Sequence, residues 1–99
     1  MSANNTFSVS TTFAPGGVQI TRTTRVLPGG KVVLVQVFNL RGTVDHAEYV
    51  VTTPAFKGVV GEAMDTFERF ESAKGREVKV TPARCDALCA LITEAHLAV

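Results

Sequence analysis

The chain has no tryptophan and a single tyrosine, so six phenylalanines supply nearly all of its aromatic mass. A surface that binds bases by stacking needs exposed rings, and their scarcity counts against that function from the outset. Two cysteines are too few for the disulfide framework of a small secreted domain. Neither sign of charge dominates. Ten Lys and Arg against nine Asp and Glu leave a net charge of +1, which excludes an acidic nucleic-acid mimic and removes any strong global pull towards phosphate. No apolar run approaches the roughly 20 residues that span a bilayer, and the opening MSANNTFSVS lacks the apolar stretch of a secretory signal. The expected setting is cytoplasmic, with no membrane partner. Serine occurs only at positions 2, 8, 10 and 72, none in a nucleophile-like context.

What is present is ordinary globular material. A chain of 99 residues, 45% hydrophobic and 19% charged, is long enough for one core. A single α+β domain over 1–99 is expected, with residues 1–5 as a flexible N-terminus. TFSVSTTF alternates Phe7, Val9, Thr11 and Phe13 with Thr6, Ser8, Ser10 and Thr12, the pattern of a strand with one wet face. Pro-Gly-Gly then occurs twice, at 15–17 and 28–30, each copy between strand-like runs. Proline pre-sets the second position of a turn and glycine accepts the positive φ of a type II turn at the third. A phosphate loop would instead need a lysine and a following helix. The repeat therefore predicts two corners of an antiparallel meander. The third strand is apolar on both sides, with Val32, Leu34, Phe38 and Leu40 against Val33, Val35 and Val37, as befits a central strand. HAEYVVTT follows as a fourth.

A second echo, Thr53-Pro54 and Thr81-Pro82, places an N-cap residue before a proline suited to the first helical position. After the first, Phe56, Val60, Ala63, Met64, Phe67 and Phe70 recur at helical spacing, opposite Lys57, Asp65, Glu68 and Arg69. After the second, Cys85, Leu88, Cys89, Leu91, Ile92 and Ala95 do so. Residues 76–80 read as a short strand or an extended linker. The expected fold is a four- to five-stranded antiparallel sheet, opening as a β-meander, packed with two C-terminal helices in the order ββββα(β)α.

Four groups of residues invite a functional reading, and each has a plainer alternative. Cys85, Cys89 and His96 share a helical face, but eleven residues of helix span about 16 Å, too far for one zinc ion with bonds near 2 Å. Cysteines packing as small hydrophobes are preferred, so neither metal nor cofactor is expected. His46 and Glu48 point the same way along the fourth strand, enough for an oriented imidazole but without nucleophile or pocket. Gln19, Thr21, Thr23 and Arg25 lie on one side of the second strand. With Ser8, Ser10 and Thr12 they would make a hydroxyl-rich face able to meet the phosphates of a single strand. Gly58 and Gly61, on the polar side of the expected first helix, would cost about 1 kcal/mol each unless another backbone, that of a partner, came close there.

The reading that follows is a small non-enzymatic binding protein acting through protein–protein contact, of the kind that phages and plasmids carry as accessory or inhibitor proteins. The alternative is a single-stranded nucleic-acid-binding protein using the Thr/Arg-rich sheet face. The valine row 33, 35, 37 has only Ser, Thr, Gln and Arg beside it on the first two strands, so a homodimer is expected to cover it.

Overall fold

The structure is a computed structural model that describes residues 6–97; the expected flexibility of residues 1–5 lies outside them. Six antiparallel strands follow one another across one sheet in chain order: β1 (Thr6–Phe13), β2 (Gln19–Leu27), β3 (Gly30–Phe38), β4 (Val44–Thr52), β5 (Phe56–Gly61) and β6 (Phe67–Ser72). One helix, α1 (Pro82–Ala95), comes last. The α+β class and the meander stand. The counts do not: there are six strands rather than four or five, and one helix rather than two.

Both Pro-Gly-Gly segments close hairpins, in different ways. In the first, Gly17 N donates to Ala14 O at 3.1 Å and Gly16 takes φ +88°, the positive value required at the third turn position. The second leaves only Pro28 and Gly29 between the paired Leu27 and Gly30. A side chain on Gly30 would run into the Thr52 carbonyl, and a Cβ on Gly29 or Gly30 would lie 3.2 Å from a Leu91 methyl. So the first copy is an open turn, and the second is also the seat on which the helix rests.

The segment expected as a first helix is the β5–β6 hairpin. Thr53 caps a turn, not a helix: its hydroxyl accepts from Ala55 N and Phe56 N and donates to Phe56 O at 2.7 Å, while Thr53 N donates to Phe56 O. Val60 and Phe70 are buried and Phe56 and Phe67 half-buried, but Ala63 and Met64 sit exposed in the connecting loop. The helical stripe was a coincidence of spacing between two short strands. Residues 76–80 are extended, with one bridge from Glu77 to Glu71 and a bond from Val78 N to Phe70 O.

α1 forms as read. Thr81 Oγ1 accepts from Arg84 N at 3.3 Å, Pro82 opens the first turn, and His96 ends the helix in the left-handed conformation at φ 53°. Leu88, Ile92 and Ala95 are buried against Leu27, Val32, Leu34, Ala47, Tyr49, Val51, Val60 and Phe70. The Tyr49 hydroxyl donates to Leu97 O at 3.1 Å, fastening the end of the helix to β4.

Burial, and secondarily the charge of Glu62, pushes the Tyr49 phenol above its ordinary value. The unfolded chain then ionises first and binds fewer protons, so stability falls as pH rises through about 10. Cys89, raised by burial and then by Cys85 and Asp86, acts with the same sign at somewhat lower pH. Urea-unfolding midpoints measured from about pH 8 to about 11 should fall in the native chain, and Tyr49→Phe should abolish the part above about pH 10.

Candidate functional site

Strand pairing assigns each side chain to a face, because directly opposed residues in an antiparallel pair project the same way. Val32, Leu34, Ala47, Tyr49 and Val51 lie on the side covered by α1. Nothing in residues 6–97 covers the other side. The register builds that open face from cross-strand rows: Val26, Lys31, Thr52, Lys57 and Glu71; then Thr24, Val33, Val50, Val59 and Glu68; then Arg22, Val35 and Glu48; then Ile20, Val37 and His46. Its centre is aliphatic. Val33, Val35, Val37 and Val50 are all only half-buried, held by their neighbours within the sheet.

The rim towards β6 is charged and self-neutralised. Glu48 joins two side chains, with His46 Nε2 2.9 Å from its Oε1 and Arg69 Nη2 donating to its Oε2 at 3.2 Å. Arg69 also approaches Glu68 at 3.6 Å, and Lys57 pairs with Glu71 at 3.4 Å. Between these pairs a shallow pocket of about 240 Å³ has Val50, Gly58 and Val59 among its lining residues. Arg69 is held there at backbone cost. Its φ is +57°, a conformation costing a non-glycine residue about 1–2 kcal/mol. The pairing skips a step at this point, so that Gly58 opposes both Arg69 and Phe70. Such bulges re-aim side chains: Phe70 turns into the core while Arg69 reaches across to Glu48.

The residues singled out by sequence are distributed differently. Gln19, Thr21, Thr23 and Arg25 do share a face, but it is the helix side, with Gln19 bonded to Thr21 and the Arg25 guanidinium 4.8 Å from the Phe7 ring. Ser8, Ser10 and Thr12 project to the opposite side, where Thr12 accepts from Arg22 at 3.2 Å. The seven residues therefore do not form one face; Ser8, Ser10 and Thr12 instead share the open side with Arg22 and Thr24. Gly58 and Gly61 lie in β5, and the close approach they permit comes from within the chain: a Cβ on Gly58 would sit 2.6 Å from the Phe70 ring, and one on Gly61 would meet the Thr66 hydroxyl. His46 and Glu48 are joined as expected. Cys85 and Cys89 are free, half-buried thiols, and Cys85 packs against the core cluster. His96 is its exposed C-cap.

Arg69 and Lys57 were missed because a helical reading put them on a solvated polar face, and Glu71 had no place in that reading. The signal against it was the pair of glycines beside Val59 and Val60, poor in a helix and tolerable in a bulged strand. Among the described residues no helix is long and apolar enough to cross a membrane. No protein-family model matches the chain, and comparison with curated proteins and with solved structures returns no match.

Proposed function

We propose that this chain is a small non-enzymatic binding protein that docks a protein partner on the open face of its sheet, in keeping with an accessory or inhibitor role. One observation carries this reading. A field of half-buried valines occupies the middle of a sheet face on which no other element of residues 6–97 packs. Contiguous apolar surface rimmed by polar residues is the usual mark of an interaction site. The rim favours protein over nucleic acid, because Arg69 and Lys57 already face Glu48 and Glu71, and a polyanion would have to displace those carboxylates. A protein can exchange such pairs for its own. The apolar centre also offers phosphate nothing.

Two measurements test the reading. Titration with single-stranded oligonucleotides at two salt concentrations should show no salt-sensitive binding. Binding that weakens with salt and is lost in Arg22→Ala or Lys57→Ala would replace this reading with the nucleic-acid one. Affinity capture from the native host should retain a stoichiometric protein with the wild-type chain and lose it with Val35→Lys. Val35 is half-buried on the open face, and a lysine stem there keeps its ammonium in water, so the variant stays folded. A partner equally retained by Val35→Lys would place docking elsewhere.

A further inference from the structure

The two edges of the sheet are built in opposite ways. β6 carries several of the devices that blunt an edge. It is six residues long, bears Glu68, Arg69 and Glu71, is kinked by the left-handed Arg69, and has the Glu77–Val78 segment bonded along its outer side. β1 carries none of them. Its eight residues include no charge and no proline, and its register against β2 runs without a break from Thr6 to Phe13. Among the described residues nothing pairs with its outer side. Phe7, Val9 and Phe13 are 54, 56 and 70% exposed. A long, unbroken, uncharged edge with protruding apolar side chains is a template for another strand.

We infer that the occupant is β1 of a second copy, paired antiparallel about a two-fold axis through Ser10, so that the two sheets form one of twelve strands. The sequence of the strand selects this partner and this register. Directly opposed residues must share a face, so the axis has to pass through a residue rather than between two. Placed at Ser10, it sets Phe7 against Phe13 of the second copy and Val9 against Thr11 on the helix side, with Ser8 against Thr12 on the open side. Both exposed rings then gain an aromatic cross-strand neighbour, and no like charges meet. Placed at Val9, it would oppose each Phe7 to a threonine and leave both Phe13 side chains unpaired. The interface is isologous and closes as a dimer. It uses a different surface from the open valine field, so it neither requires nor excludes a foreign partner there.

Sedimentation at micromolar concentration, with three variants, tests the inference. The wild-type chain should sediment at twice 10.6 kDa. Ser10→Lys would put two ammonium groups side by side across the axis, flanked by the Arg22 that pairs with position 10 in each copy, and should be monomeric. Ser8→Lys, which meets only Thr12, should stay dimeric. Circular dichroism and thermal melting confirm that both variants fold. Ser10→Cys should give, on mild oxidation, a covalent dimer whose disulfide maps by peptide mass to position 10 of both chains. A monomeric wild-type chain, or a dimer that survives Ser10→Lys and yields no cross-link at position 10, would overturn it.

Discussion

Replacing Phe70 with alanine should cost about 3–5 kcal/mol, a large share of the roughly 5–15 kcal/mol that holds a domain of this size together. The ring is only 2% exposed and belongs to the central cluster with Leu88, Val60 and Leu34. It stands 5.8 Å, centroid to centroid, from the half-buried Phe56 ring, which extends the same apolar layer. Because Phe70 reaches the core only through the bulge at Arg69, its burial also offsets the strained backbone there. Losing the ring therefore removes transfer energy, opens a cavity and leaves the bulge without its main support. Chemical denaturation should show a sharply lower midpoint with an unchanged slope. A midpoint within error of wild type would mean that β6 is not anchored by this side chain.

The second large effect concerns Gly58, and here the sign carries the information. In a helix, Gly58→Ala would stabilise by about 1 kcal/mol. In β5 the new methyl would stand 2.6 Å from the Phe70 ring and 3.0 Å from Leu88, forcing apart two buried side chains. Overpacking of this kind costs about 1–3 kcal/mol, so the variant should be less stable. The two positions should also be strongly coupled. In a Phe70→Ala background the clash with the ring disappears, Leu88 gains room to give way, and Gly58→Ala should cost less, a departure from additivity that a double-mutant cycle reads directly. Equal costs in both backgrounds would mean that the ring does not lie against Gly58.

The parts of the fold legible in the sequence are those set by neighbours along the chain. Alternation in TFSVSTTF predicts a strand, and two Pro-Gly-Gly corners predict sequential hairpins. Thr81-Pro82 followed by Leu88, Ile92 and Ala95 predicts a capped helix with one buried face. All are found. Each rests on a local constraint, such as proline's fixed φ, glycine's access to positive φ, or a hydroxyl within reach of an unpaired amide. Thr53-Pro54 carries the same local signal without a helix, because a threonine hydroxyl caps a two-strand turn as readily as a helix. Phe56, Val60, Phe67 and Phe70 satisfy a helical period only because a loop and a bulge happen to supply the missing offsets.

Of the candidate site, the sequence by itself determined the raw materials: two apolar rows on β3, a His46–Glu48 pair, a second strand rich in Thr and Arg, and an uncharged first strand. Tertiary structure decided how they are used. Which apolar row meets α1 depends on where the helix crosses the sheet, and it crosses so as to bury Val32 and Leu34 and leave Val33, Val35 and Val37 outside. That Gln19, Thr21, Thr23 and Arg25 lie on the opposite side from Ser8, Ser10 and Thr12 depends on strand register, since a shift of one residue reverses every side chain. Arg69 joins Glu48, twenty-one positions away, because Phe70 takes the buried place behind Gly58. Local chemistry is written in adjacent residues. Faces, edges and bulges are settled only when distant strands compete for one core.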